Sequence, residues 1–245
     1  MSDRISGVQA KLKEQCPSAL YVHCSNHALD LVLQEVVREV RVVADTFNFV
    51  RSVSVVVGES SKRKMLFQSM FGDDEAVCNL LSLCPTRWAV HKRAISRVVS
   101  SYTALLQTLK MLEQDKTVRG DTREKVSGLY KQATTAKTYS GFLCCEALFG
   151  PCDTVARALQ SEKASAKGAL ECVSALRHCM HGLREDGFIQ EMSAKVAACA
   201  ERNNLKMPLP PRINRTHARL RDTEETEAIV TDVGEQQWQR EFYEA

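Results

Sequence analysis

Apolar residues recur at spacings of three and four along most of this 245-residue chain, a pattern typical of amphipathic helices that share a core. The clearest stretch predicts one helix from Ala28 to about Val57, ending at the polar turn that starts with Gly58. A strand stays open for Val53–Val57, because valine is a weak helix former. The same spacing predicts further helices over Val8–Gln15, Met65–Phe71, Thr122–Gln132, Thr138–Phe149, Thr154–Ser161, Lys163–His181 and Phe188–Asn203.

Pro85 precedes another long helix. A residue before proline is kept out of helical geometry, so Cys84 is expected to be extended, and Thr86 is placed to cap a helix that runs through Leu112. Only Ala19–Cys24 favours a strand, and a lone strand implies a partner sheet that this chain does not contain. The sequence therefore predicts a mainly α fold, a bundle of about seven to nine helices with one short N-terminal strand.

Composition is that of an ordinary globular protein, with 44 % hydrophobic and 26 % charged residues. The formal net charge of +3 does not indicate nucleic-acid binding by the whole chain, so any basic surface has to be local. Ten cysteines without a repeated C-x-x-C pattern favour reduced thiols, buried as small hydrophobes in an intracellular protein. No apolar run approaches the ~20 residues of a membrane span, so no membrane partner is expected.

Two motifs about sixty residues apart carry the most specific signal. The segment 20–33 reads LYVHCSNHALDLVL, and the segment 84–88 reads CPTRW. The first is similar to the C-x-x-H-x-L-N-L-V segment of hAT-family DNA transposases, with Asp30 where asparagine is commoner. The second resembles the T-R-W motif that opens a helix of that family's insertion domain. Weaker similarities to the zinc finger MYM-type protein 1 group of domesticated transposases extend the resemblance over about residues 3–215.

The resemblance implies a ribonuclease-H-like catalytic core interrupted by a long all-helical insertion. It divides this chain into a remnant of the core at 1–33, an insertion domain at 34–206, and a proline-rich linker with a charged segment at 207–245. Active members hold divalent metal with three acidic residues, because two-metal phosphodiester chemistry needs clustered carboxylates. Asp3 falls several residues too late to be the second acid, and the others are expected outside this chain. The expectation is therefore a protein that is not an enzyme by itself, without catalytic residues, metal or cofactor.

Cys24 and His27 are three residues apart, so they share one face at a helix start. A structural zinc site needs four ligands, and Cys16 and His23 are the nearby candidates for the other two. The family pattern implies instead that Cys24 and His27 pack beside the catalytic core and position it. A chance arrangement is the third interpretation.

The candidate DNA-binding residues are Arg87, Trp88, His91, Lys92 and Arg93. The resemblance implies a tryptophan near the DNA end, where an aromatic face can hold an unstacked base by ~1–3 kcal/mol and an adjacent arginine can meet phosphate. The alternative is a core tryptophan beside an arginine that reaches solvent. The local basic concentrations are His91, Lys92, Arg93 and Arg97, together with the predicted loop Lys62-Arg63-Lys64. Such a charge run is usually a solvated face, and the alternative is a weak phosphate-contacting surface whose binding falls as salt rises.

Together these features predict a transposase-derived, catalytically incomplete protein or fragment, intracellular and nuclear, acting as a DNA-associated or protein-interaction module. One alternative is a helical scaffold without a nucleic-acid role. Another is a truncated subunit of an active hAT transposase that takes the missing acids from another chain. DNA and other protein chains are the expected partners, and a small-molecule substrate is not expected.

Overall fold

A computed structural model describes residues 7–18, 24–70, 88–161 and 165–207 of the chain. Those ranges hold ten α-helices and no β-strand, which confirms the mainly α prediction and slightly exceeds the predicted number of helices. The predicted strand lies outside the described residues, apart from Cys24 at its end. The helices are α1 Val8–Gln15, α2 Ser25–Glu39, α3 Arg41–Gly58, α4 Ser61–Ser69, α5 Trp88–Ser100, α6 Tyr102–Gln114, α7 Gly120–Ala133, α8 Ala136–Leu159, α9 Ala166–Gly182 and α10 Asp186–Asn203.

The single helix predicted from Ala28 to Val57 is wrong, because Val40 divides it into α2 and α3. Val40 has extended backbone angles, with φ −91° and ψ 103°. Its neighbours keep their apolar spacing across the break, and Leu33 before it and Val43 after it are both buried. Periodicity alone therefore cannot show this bend. The predicted end at Gly58 is confirmed, and the valines before it are helical.

Ser101 likewise interrupts the helix that was predicted to run through Leu112. The Ser101 hydroxyl donates to the Arg97 carbonyl at 2.5 Å, and the Ser100 hydroxyl donates to the Ser96 carbonyl at 3.0 Å. Serine side chains bonded back to the preceding turn commonly bend helices. The bend leaves α5 packed on α8, while α6 packs on α7 and α4.

Pro151 lies inside α8 without ending it, so the prediction of two helices on either side of it is wrong. Proline in a helix interior removes one backbone hydrogen bond. Here Phe149, Cys152 and Val155 are buried on both sides of the proline, and their packing holds the helix together. The resulting rod of 24 residues contacts α2, α3, α5, α7, α9 and α10.

The ends of the other helices are close to the predicted ones. α4 begins four residues before the predicted Met65, so residues 61–64 belong to a helix rather than to a turn. α10 ends at Asn203, and the left-handed φ of 51° at the following Asn204 is a common helix terminator. Beyond it, the Lys206 N–H donates to the Thr134 carbonyl at 2.7 Å, and the Lys206 carbonyl accepts from the Ala136 N–H at 2.9 Å. These two bonds join the end of the bundle to the α7–α8 turn. The predicted linker that starts at Met207 lies otherwise outside the described residues.

The main core lies between α3, α5, α6, α7 and α8, and ring contacts mark its centre. Phe49 meets Phe142 edge-on with ring centroids 5.6 Å apart, and Phe47 meets Phe149 at 5.2 Å. α2 joins this core through Leu33 and continues without a break past residue 34. The domain boundary placed there stays a prediction. Within the described ranges, no helix is both long and apolar enough to span a bilayer.

Candidate functional site

α5 is held in a fixed orientation by the core beneath it. Ala94, Ile95 and Val98 are almost completely buried against α8 and α3. On the same helix, the Ser96 hydroxyl donates to Glu146 Oε1 of α8 at 2.5 Å. The helix can therefore neither rotate nor slide without losing apolar burial and a hydrogen bond, so its polar side chains keep a defined direction.

Basic residues occupy the polar side of α5. Arg93 is exposed and Lys92 is half-buried, and the sequence from Trp88 to Ser100 contains no aspartate or glutamate. Among the described residues, no carboxylate lies within 4 Å of the charged groups of Lys92 or Arg93. Within the described part of the chain, their charge is therefore available to an anion such as phosphate.

The remaining predicted DNA-binding residues fall at the edge of the described chain. Arg87 lies outside it. Trp88 is the first residue of α5 and His91 follows one turn later, and the side chains of both lie outside the described part. The structure thus places Lys92 four residues after Trp88 on one continuous helix. The stacking role of Trp88 stays a prediction.

The second basic group, Lys62-Arg63-Lys64, lies in α4 and not in the predicted loop. Lys62 Nζ is 3.7 Å from Asp115 Oδ2, and Arg63 Nη2 is 3.7 Å from Glu59 Oε2. Carboxylates therefore lie beside two of the three charges, which makes this group a weaker candidate for phosphate than the α5 surface.

Cys24 and His27 lie at the start of α2, and both are exposed. Cys24 is the residue that precedes the helix, and His27 lies in its first turn. Cys16 is also exposed, and His23 lies outside the described residues. In the described ranges, no group of three or more histidine, cysteine, aspartate or glutamate side chains could hold a metal ion. The positioning role of Cys24 and His27 stays a prediction.

A crevice between α2 and α8 brings together two carboxylates that the sequence analysis did not recognise as a pair. Asp30 of α2 is half-buried, and burial raises the pKa of Asp30 while the charge of His27 lowers it. Asp153 of α8 is buried. The crevice is lined by Asn26, Leu29, Asp30, Leu33, Phe149, Cys152, Asp153 and Ala156. Each acid lies on a helix face that is otherwise mostly apolar, and this was the signal in the sequence that could have found the pair.

Asp153 is only partly neutralised. Its Oδ2 accepts from Arg157 Nη2 at 2.9 Å, one turn later on the same helix. Its Oδ1 is buried and has no hydrogen-bond partner among the described residues. Buried carboxylate oxygens are normally bonded, so Asp153 is an exception to that rule in the described part of the chain.

Comparison with known proteins adds no family assignment. No protein-family model matches the chain, and no solved structure matches it significantly. The resemblance to hAT transposases therefore stays a prediction from the motifs at 20–33 and 84–88.

Proposed function

We propose that the chain is a transposase-derived, catalytically incomplete protein that associates with DNA through the first half of α5. The observation that supports this proposal is the pair Lys92 and Arg93 on a helix packed against the core: among the described residues, no carboxylate lies within 4 Å of their charged groups. The T-R-W motif ends where that helix begins, so the motif and the basic surface are continuous along the chain.

The chemistry of this surface suits a phosphate backbone next to an unpaired base. Lysine and arginine that contact phosphates release counterions, so binding weakens as salt rises. Two such contacts to a single strand predict a slope of about −1.4 in a plot of log affinity against log salt. Stacking on Trp88 would add a preference for unpaired bases over a closed duplex.

The test is binding of a fluorescent DNA hairpin with an unpaired end, measured by anisotropy at several salt concentrations. We expect Lys92→Gln/Arg93→Gln to weaken binding at least about fivefold and to flatten the salt dependence. The matched control is Lys125→Gln/Lys131→Gln on α7, which removes the same charge from two exposed residues. Equal losses in both double variants would show that only net charge matters and would contradict the proposal.

The role of Trp88 is separated by comparing the hairpin with a blunt duplex of the same length. Trp88→Ala should weaken hairpin binding by at least about fivefold, because stacking contributes ~1–3 kcal/mol, and should leave duplex binding unchanged. An unchanged hairpin affinity would exclude the stacking role while leaving the phosphate contacts intact.

Catalytic incompleteness has its own test. The purified chain should not nick the hairpin in the presence of magnesium or manganese, because hydrolysis of a phosphodiester needs clustered carboxylates around the ion. Metal-dependent nicking that persists through repeated purification would overturn this part of the proposal.

A second candidate function, a protein-interaction module, is favoured by the outer face of α9. Leu170 is 70 % exposed and Val173, one turn away, is 45 % exposed. Apolar residues that share an exposed helix face are typical of contact surfaces. If Leu170→Lys/Val173→Lys abolishes concentration-dependent self-association in light scattering and leaves hairpin binding intact, the chain also has an interaction surface on α9.

A further inference from the structure

The half-buried Glu146 of α8 brings a negative charge to the polar side of α5. Its Oε1 accepts a hydrogen bond from the Ser96 hydroxyl at 2.5 Å, and α5 has no aspartate or glutamate of its own. Among the described residues, no lysine, arginine or histidine nitrogen lies within 4 Å of the Glu146 carboxylate. In that part of the chain, no neighbouring cation therefore neutralises the charge of Glu146.

Ser96 determines where this charge lies relative to the basic pair of α5. Ser96 follows Arg93 by three residues and Lys92 by four. Residues at these spacings are neighbours on a helix surface, with Cβ atoms about 5–6 Å apart. The carboxylate that is bonded to Ser96 therefore lies about one helical turn beyond the basic pair, toward the C-terminal end of α5.

A phosphate group at that turn would meet a charge of its own sign. Charges closer than the screening length, about 10 Å at 0.1 M salt, still repel each other noticeably. A phosphate beside Lys92 and Arg93 is attracted by two cations, whereas a phosphate beside Ser96 is repelled by Glu146. Surfaces that select one binding position commonly combine an attractive group with a repulsive one.

We propose that Glu146 is a specificity-determining residue that confines bound phosphate to the first half of α5, residues 88–93. This inference rests on the proposed association with DNA and adds the limit of its surface. The surface accepts the phosphates at the end of a strand and disfavours a backbone that continues along α5 past Ser96. The Ser96 hydrogen bond holds the repelling charge in place, and Glu146 itself does not touch the DNA.

The experiment compares the full-length wild type with Glu146→Gln, which keeps an oxygen that can accept from Ser96 but removes the charge. The ¹⁵N-labelled proteins are titrated with sodium phosphate in NMR, and sodium chloride at equal ionic strength is the reference. The wild type should show saturable shifts at the amides of Lys92 and Arg93. In Glu146→Gln the shifts should extend to the amide of Ser96, because phosphate is no longer repelled there.

Affinity for DNA is measured by anisotropy with the same two proteins. Glu146→Gln should bind the fluorescent hairpin at least about threefold more tightly at low salt, and the gain should shrink as salt rises. The gain should be larger for a long single strand than for inorganic phosphate, because only the strand reaches past Ser96. An equal gain for both ligands would contradict the proposed limit of the surface.

Glu113→Gln is the matched control, because Glu113 Oε1 of α6 likewise accepts from a serine hydroxyl, Ser127 Oγ, at 2.6 Å. It should leave every affinity unchanged, and an equal gain in this control would show that only net charge matters. Ser96→Ala removes the hydrogen bond and keeps the charge, so it should not strengthen binding. If Glu146→Gln weakens binding, Glu146 only supports α5 and the proposal is wrong.

Glu146→Ala, which also removes the charge, replaces Glu146→Gln if that variant does not fold. Phosphate shifts at Lys92 and Arg93 with equal affinity in wild type and variant would overturn the role of Glu146 and leave the DNA association standing. The absence of these shifts and of hairpin binding in both proteins would overturn the DNA association and the role of Glu146 together.

Discussion

Gly141 of α8 lies directly against Thr46 of α3. A Cβ atom at position 141 would come 2.5 Å from Thr46 Oγ1, which is closer than real Cβ contacts allow. Thr46 cannot easily move away, because it is buried and its hydroxyl donates to the Val42 carbonyl at 2.8 Å. The missing side chain of Gly141 therefore determines how closely α3 and α8 approach.

Gly141→Ala is expected to lower the free energy of unfolding by about 1–3 kcal/mol, the usual cost of overpacking a core. Urea denaturation followed by circular dichroism measures this change. Gly128→Ala on α7 is the matched control, because nothing lies within 4 Å of a Cβ there. The control should instead stabilise the protein by about 0.5–1 kcal/mol, since alanine favours helix. A Gly141→Ala variant as stable as the control would contradict the packing described above.

Tyr102 joins α6 to the end of α7 through one buried hydrogen bond, from its hydroxyl to the Ala133 carbonyl at 2.7 Å. Tyr102→Phe should cost about 1–2 kcal/mol in urea denaturation, because the carbonyl is left buried without its donor. Tyr130→Phe on α7 is the comparison, since the Tyr130 hydroxyl makes no hydrogen bond among the described residues. Equal stability of the two variants would argue against the Tyr102 bond.

Alkaline pH should destabilise the fold through two tyrosines, the buried Tyr102 and the half-buried Tyr139. Burial raises the pKa of Tyr139 to about 12 and raises the pKa of Tyr102 well above its ordinary range. In the unfolded chain a tyrosine loses its proton near pH 10, roughly the ordinary value. The stabilisation is therefore complete below about pH 10 and is lost as the pH rises toward 12.

This pH dependence is measured by urea denaturation at several pH values from about 9 to 11. Tyr139→Phe should lose less stability over that interval than the wild type, because phenylalanine has no proton to release. Tyr130→Phe should follow the wild type. If all three proteins lose stability in parallel, the titration of Tyr139 does not contribute.

Cysteine reactivity should follow burial. Burial raises the pKa of Cys144 and of Cys152 to about 11, and Cys145 is buried still more deeply. The thiolate is the reactive form, so these thiols should react slowly with iodoacetamide at pH 8. Among the eight cysteines in the described part of the chain, the exposed Cys16 and Cys24 should be modified first. Mass spectrometry of timed samples gives the order, and similar rates in urea confirm that folding causes the difference. Early labelling of Cys145 would contradict the position of α8 in the core.

The presence of the helices could be predicted from the sequence, but their breaks could not. Apolar spacing reports which side of a helix is buried, and a bend that keeps that side buried leaves the spacing intact. Val40 and Ser101 are such bends. Pro151 caused the opposite error, because the sequence predicted a break where α8 is continuous. The packing of buried neighbours on both sides outweighs the local preference of proline against helix.

The basic surface of α5 could be predicted from the sequence and the Asp30–Asp153 pair could not, for a related reason. Lys92 and Arg93 are adjacent in sequence beside a recognisable motif, so a basic surface there could be predicted. Asp30 and Asp153 are distant in sequence and meet only because α2 packs on α8. Sequence patterns report neighbours along one helix, and a pair made by tertiary packing becomes visible only in the folded chain.

The central position of α8 affects how the whole bundle opens. α8 packs against α2 on one side and α5 on another, so the crevice and the basic surface share a single support. The amide protons of Phe142 and Cys145, in the buried middle of α8, are therefore expected to exchange with solvent mainly when the bundle opens. Opening of that middle part would loosen both surfaces together.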